Sequence, residues 1–296
     1  MNVHSDVEAV SRACRGAGER LDGAIAVASF HLSELARLAV GERGEEFSAL
    51  YSKVKSSLIA PVTRENENYA ALTALSSCLL ARLCRDVCLA CAETGNPISE
   101  RDFFPLATEA ENSRIAYMRS PLADEAYRVF SKTVREASVV YPQSFAAACE
   151  DVYNGRVGYC ILPYESSDEG SLSGFVKLIA KYELSPVRVC SLATEHGSTR
   201  FVLLGRSQYL SALGGGKRLL KITVDRPEAD TVLRICSAAE ELCVPLRKTE
   251  STPVSLGEGY AAAMTFEFTG KDASPFLLYL ALEVPECSEK AIFEEL

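Results

Sequence analysis

Apolar residues recur every three or four positions from Val7 through Val10, Cys14, Ala17, Leu21, Ala24, Ala28, Leu32 and Leu35 to Ala39. That is the spacing of one long amphipathic helix, with Gly41 and Gly44 to end it. A second helical segment is predicted from about Glu45 to Ile59, stopped by Pro61. A third runs from near Thr63 through Tyr69, Leu72, Leu75, Leu79, Leu83 and Val87 to Glu93, where Gly95, Asn96 and Pro97 close it. Residues 1–105 therefore read as a helical bundle without strand signals.

After the polar link around 98–113 the pattern changes to short alternating elements. Strands are expected at Arg114–Met118, Ala137–Tyr141, 157–163, Val187–Leu192 and Thr199–Leu204, with helices at Leu122–Phe130, Ser144–Tyr153 and Gly174–Tyr182. This is an α/β lobe over 113–208, of the kind that forms half of a two-lobed binding protein. SALGGG, 211–216, reads as a flexible linker. Beyond it, 217–296 reads strand, helix, strand, strand, helix, strand. Such a βαββαβ unit makes a sheet with helices on one face and commonly pairs edge to edge with a copy of itself. The fold class expected is thus α+β and multidomain.

Composition narrows what this architecture can do. The chain has 296 residues, 48% of them apolar, with a pI near 5.1 and a formal net charge of −9. A nucleic-acid or anionic-membrane surface needs clustered excess Lys and Arg, and there is no such cluster, so neither partner is expected. The central lobe is the one part without an acidic excess, which favours an anionic ligand. The opening MNVHSDVEAV has no basic and apolar signal-peptide regions, so the expected location is cytoplasmic. Eleven cysteines, an odd number scattered through presumed core, point to reduced thiols. Cys84, Cys88 and Cys91 share a helical face, but His4, His31 and His196 are distant in sequence. Buried thiols are expected there and no metal site.

The stretch with most chemistry is RVGYCILPYESSDEGSLS, Arg156 to Ser173. Val157, Tyr159 and Ile161 read as a buried strand, Pro163 as its stop, and Glu165, Ser166, Ser167, Asp168 and Glu169 as a polar loop. Gly170 allows a tight turn and Ser171 is the expected N-cap of the following helix. A strand that delivers polar groups to a helix N-terminus is a common ligand position in α/β folds.

GYCILPYESSDEGS together with Thr199-Arg200-Phe201 resembles prephenate dehydratase, whose hallmarks are a G-V-x-P-x-E-N-S loop and a T-R-F strand. The C-terminal unit is similar to the ACT regulatory domain of the same enzymes, with Glu250, Ser251 and Pro253 in the place of their E-S-R-P signature. The helical region before them resembles the chorismate mutase domain of the bifunctional enzymes. The resemblance implies mutase-like catalytic positions at Arg20, Arg37, Lys55, Arg64 and Glu65. Arg20 and Arg37 lie about 25 Å apart along one helix, so a site containing both needs a partner subunit. It implies dehydratase-like positions at Thr199, Arg200 and Phe201, and ligand-binding positions at Glu165, Ser166, Ser167, Glu250, Ser251 and Pro253.

Departures from the pattern shape the expected function. Only 193–198 stands where the family inserts a second lobe, the loop reads Glu-Ser-Ser for Glu-Asn-Ser, and Thr252 replaces the arginine of E-S-R-P. The expectation is a protein of aromatic amino acid biosynthesis with its dehydratase activity lost and a ligand-binding or regulatory role. The alternative is an active chorismate mutase, or an enzyme with residual dehydratase activity. No cofactor is implied. The expected partners are a small anionic ligand, namely chorismate, prephenate or an aromatic amino acid, and a second copy of the chain.

Overall fold

The computed structural model describes residues 51–53, 55, 56, 59, 61–66, 68–93, 95, 97–104, 112–167, 170–195, 197–207, 217–253, 260–268 and 272–296. The expected first helix with Arg20 and Arg37 lies outside them, as does the linker 211–216. The first long described element is helix α1, Tyr69–Glu93. It begins later than its apolar spacing predicts because Asn66 caps a separate turn. The Asn66 Oδ1 accepts from the Thr63 N–H at 2.8 Å, and the Asn66 N–H donates to the Thr63 carbonyl at 3.0 Å. A side chain bonding to nearby backbone in this way competes with helix propagation. The buried side of α1 includes Leu80, Leu83, Cys84, Val87, Cys88 and Cys91, at the three-and-four spacing of one face. Burial pushes the Cys88 thiol up to about 12 and Cys84 well above its ordinary value, so both stay protonated and act as small apolar groups.

The lobe consists of β1 (Arg114–Tyr117), α2 (Pro121–Phe130), β2 (Ser138–Val140), α3 (Phe145–Tyr153), β3 (Tyr159–Ser166), β4 (Gly170–Ser171), α4 (Ser173–Lys181), β5 (Ser185–Thr194) and β6 (Gly197–Gly205). Serine caps start two of its helices. Ser120 Oγ accepts from the Ala123 N–H at 3.2 Å with Pro121 in the first turn, and Ser144 Oγ accepts from the Ala147 N–H at 3.0 Å. β1 runs parallel to β2 and β3, while β3, β6 and β5 are antiparallel neighbours. The two faces bury different sets. Ile115, Ile161, Phe201 and Leu203 pack with α2, whereas Cys160, Leu162, Val202 and Leu204 pack under α3 and α4. That division is the alternation of a strand written twice over.

Two local expectations change. Pro163 does not stop its strand: β3 continues to Ser166, with Pro163 opposite Phe201 and an irregularity before Glu165. By that point β1 has ended, its Tyr117 lying opposite Ile161, and β4 pairs only from Glu165 on, so among the described residues no strand pairs with Pro163 on that flank and a residue without an N–H is tolerated. Ser171 is not the helix cap either. Glu165 and Ser166 pair with Ser171 and Gly170 in a small hairpin, and Leu172 takes the capping position without a side-chain bond. Gly170, with φ of +69°, makes the tight return.

The C-terminal unit is β7 (Lys217–Asp225), α5 (Ala229–Glu241), β8 (Leu246–Pro253), β9 (Tyr260–Phe268), α6 (Ser274–Glu283) and β10 (Cys287–Glu295), which is the βαββαβ order expected. Its strands lie in the order β10-β7-β9-β8. Leu220, Ile222, Val224, Met264 and Phe266 point to one face, where they share a single core with α5, α6 and α1. The long helix is thus packed on the C-terminal unit, not on a bundle of its own among the described residues. Glu100, from a short 3-10 turn after α1, ties this region down by pairing with Arg218 and accepting from the Ala273 N–H at 2.9 Å.

The strands of lobe and unit form one mixed sheet of ten strands. β10 joins β5 in parallel, Glu294 opposite Arg188 and Glu295 opposite Val189, and the Leu296 N–H donates to the Val189 carbonyl at 2.9 Å. Leu219 of β7 and Phe293 of β10 enter the buried cluster under α3 and α4. At the joint Arg188 and Glu294 form an ion pair of 3.3 Å, with side chains 8% and 1% exposed. Such a buried pair compensates charge that would be costly to bury alone. No described helix is long and apolar enough to cross a membrane.

Candidate functional site

Where the lobe meets the C-terminal unit, the sheet face opposite α1, α5 and α6 bears a cavity of about 280 Å³. Strand register explains its walls. On the lobe side Glu165 of β3 lies opposite Arg200 of β6, which lies opposite Ser191 of β5. On the other side one row crosses all four strands: Ala291 of β10, Lys221 of β7, Thr265 of β9 and Lys248 of β8. Residues directly opposite in antiparallel strands share a face, so two cations stand among small neighbours. Tyr164, Val189 and Phe293 add apolar lining.

The charges interlock across the joint. Glu165 accepts from Lys248 Nζ at 2.5 Å and from Arg200 Nη1 at 3.3 Å, which ties the lobe to β8. Lys248 also pairs with Glu250 at 2.9 Å. Glu295, on β10, pairs with both Arg200 and Arg247, and Arg247 lies 3.6 Å from Glu267. Burial by itself would lower the Lys248 pKa, but hydrogen bonds to Glu165 and Glu250 outweigh it and hold the ammonium above the usual lysine value. For Glu295 burial works upward, and the Arg247 and Arg200 bonds outweigh it, so its carboxyl titrates below the ordinary range. The loop is fixed by Ser167, whose N–H donates to the Ser198 carbonyl at 2.9 Å and whose Oγ accepts from the Ser198 N–H at 3.0 Å.

Two of the sequence's candidate sets meet here. Glu165, Ser166, Ser167 and Arg200 line the cavity, and so does Glu250 from the C-terminal unit. Thr199 and Phe201 do not. Consecutive strand residues point to opposite faces, and Phe201, 4% exposed, is in the core under α2. Ser251 is exposed, and Pro253 is the last residue of β8. Tyr164, Ser191, Lys221, Arg247 and Lys248 were not singled out by sequence as site residues, although they complete the lining. The signal available for Lys248 and Glu250 was their period-two spacing along a strand. For Lys221 there was none, since it stands in KRLLKITV as a charge within an apolar run.

A second cavity, of about 740 Å³, lies between 52–80 and the helices α5 and α6. Lys55 is on its wall, with its Nζ 2.5 Å from Glu283 Oε2, and Tyr51 donates its hydroxyl to the same carboxylate at 2.8 Å. Arg64 pairs with Glu228 at 2.5 Å and Asp230 at 3.2 Å. Those two carboxylates line the cavity while Arg64 itself does not, and Glu65 is exposed and outside it. A hydrogen bond from Tyr69, assisted by Arg64, holds the Asp230 carboxyl below its ordinary value. Arg234 donates to the Glu283 carbonyl at 2.8 Å and lies 3.6 Å from Glu286. Among the described residues no group of His, Cys, Asp and Glu is placed to hold a metal ion.

The molecule thus belongs to the mixed α/β class: one ten-stranded sheet, a long helix before it, and a small polar cavity at the joint of its two parts. Solved structures with a similar path include three that share about three fifths of the chain. Prephenate dehydratase from Streptococcus mutans is 20% identical with a TM-score of 0.49, over 62% of this chain and 98% of that one. Prephenate dehydratase from Arthrobacter aurescens, solved in complex with L-Phe, is 13% identical with a TM-score of 0.48, over 61% and 90%. GqqA, described as a novel type of quorum quenching acylase, is 19% identical with a TM-score of 0.48, over 62% and 95%. No family model and no curated protein matches the sequence.

Proposed function

We propose that the chain is a binding protein for a small carboxylate, built on the prephenate dehydratase plan and without dehydratase activity. One observation carries the reading. Candidate residues from two separate stretches, Glu165, Ser166, Ser167 and Arg200 from one and Glu250 from the other, line a single cavity and are linked through Lys248. A cavity of about 280 Å³ with convergent cations and an apolar wall is of the size and chemistry that take a small metabolite. Dehydration of prephenate needs a water-shielded cleft that holds the leaving hydroxyl. Here β5 returns directly into β6, Thr194 opposite Gly197, so no lobe stands between them, and the C-terminal unit takes the flank of β5. Thr199 shares the face of Phe201, away from the cavity.

The chorismate mutase alternative has less behind it. Lys55 and Arg64 are committed to Glu283, Glu228 and Asp230, and a dicarboxylate would have to displace them. A homodimer and a division at 1–105, 113–208 and 217–296 belong to the same proposal. β8 is the terminal strand of the sheet and the edge that a second copy would use. Two assays test the function. Prephenate incubated with the protein is expected to yield no phenylpyruvate, and turnover would overturn the loss of activity. Calorimetry with phenylpyruvate, L-phenylalanine and prephenate is expected to give heat with at least one, and silence with all three would overturn the binding role.

A further inference from the structure

We propose that Lys221 is the anion receptor of the joint cavity and that the cavity selects monocarboxylates over dicarboxylates. The inference rests on the binding role given above and names its ligand class. Among the described residues Arg200, Arg247 and Lys248 each pair with two carboxylates. Lys221 has none. Its described partner is the Tyr164 hydroxyl, at 2.5 Å, and its Nζ lies 5.2 Å from the centre of the Tyr164 ring. On the strands either side stand Ala291 and Thr265, too short to cover the ammonium, so the space above it is open to the cavity.

A half-buried ammonium whose charge no described carboxylate answers is where an incoming anion gains most, since the lysine's desolvation is already met by the fold. A carboxylate placed there accepts from Lys221 Nζ and from the Tyr164 hydroxyl, and the ligand's apolar part can lie along Val189 and Phe293. One receptor cation serves one carboxylate. A second carboxylate would have to compete with Glu165, Glu250 or Glu295 for a cation already shared, and would face their repulsion. Phenylpyruvate and phenylalanine therefore fit, whereas prephenate and chorismate do not.

The test is calorimetry on the full chain with phenylpyruvate, L-phenylalanine, L-phenylalaninamide, which lacks the carboxylate, and prephenate. Phenylpyruvate or phenylalanine is expected to bind at least tenfold more tightly than either the amide or prephenate. Lys221→Met should weaken that ligand about tenfold or more while Lys221→Arg keeps most of the affinity, with thermal melts showing both variants folded. Tyr164→Phe should cost a few-fold. If Lys221→Met does not fold, the amide comparison and Tyr164→Phe decide, since neither needs that variant. A monocarboxylate that binds wild-type protein no more tightly than its amide, or equally well to folded Lys221→Met, overturns this inference and leaves the binding role standing. If prephenate binds more tightly than the monocarboxylates the selectivity is wrong. If none of the four binds, the binding role fails and this inference with it.

Discussion

The two cavities are assembled from the same kinds of side chain and differ in how the charges are closed. Under the helices, Lys55, Arg64 and Arg234 each face a carboxylate, and Glu283 at the centre is buried between Tyr51 and Lys55. At the joint of lobe and C-terminal unit, four cations line the wall against two carboxylates of the lining, and one cation is left with a phenol. Closed pairs hold elements together; an unanswered charge in a small enclosed space invites a ligand. On the proposed reading the larger cavity is structural and the smaller one takes the ligand, contrary to what size alone would select.

The contrast can be broken most sharply at the buried pair of the joint. Arg188→Met should take the arginine charge away from the buried Glu294 carboxylate and cost about 3–5 kcal/mol in urea unfolding. Arg188→Met combined with Glu294→Leu should recover most of it, because the pair gives compensation more than net stability. A double variant as unstable as the single one would show that Arg188 acts beyond that pair. Next comes ligand affinity: Lys248→Met, which removes a cation shared by Glu165 and Glu250, is expected to weaken phenylpyruvate about tenfold in calorimetry and to loosen the lobe on β8. In the larger cavity Lys55→Met should cost about 1–3 kcal/mol by leaving a buried carboxylate under-compensated, and should leave phenylpyruvate binding unchanged. A loss of binding there would reverse the assignment of the two cavities.

Acid provides a smaller effect with a definite sign. The Glu295 carboxyl titrates below its ordinary 4.5 in the folded protein, so unfolding takes up a proton as the pH falls through that range. Its contribution is complete above the ordinary carboxylate value and is lost as the pH falls below that value through the lowered folded-state one. A melting-temperature profile should show that limb, and Glu295→Gln should flatten it. The smallest effect is expected for Arg64→Ala, whose guanidinium and Glu228 partner lie in solvent: the unfolding midpoint should hardly move.

Much of the fold was legible because burial writes its period into the chain. The four-residue spacing of Leu79, Leu83 and Val87 and the short apolar run Phe201-Val202-Leu203-Leu204 assign helix and strand from the chain alone. Pro163 and Ser171 misled for a local reason. Whether a proline ends a strand depends on how far the neighbouring strand runs, and whether a serine caps a helix depends on whether its backbone is already paired; both are set by other parts of the chain.

For the site, the polar loop after a strand singled out Glu165, Ser166 and Ser167, the family resemblance added Arg200 and Glu250, and neither could tell that they meet. It grouped Thr199, Arg200 and Phe201, which the pleat then divides between two faces. By itself the sequence determined most of the order of helices and strands from 114 on, the βαββαβ unit, and the residue types from which a site could be made. Tertiary structure alone decided that β10 docks on β5 to fuse the two parts into one sheet, that α1 packs on the C-terminal unit, and that Lys221 faces Tyr164 across 57 positions of chain. The reason is range: periodicity and turn chemistry act within a few residues, whereas charge compensation depends on which distant strands become neighbours.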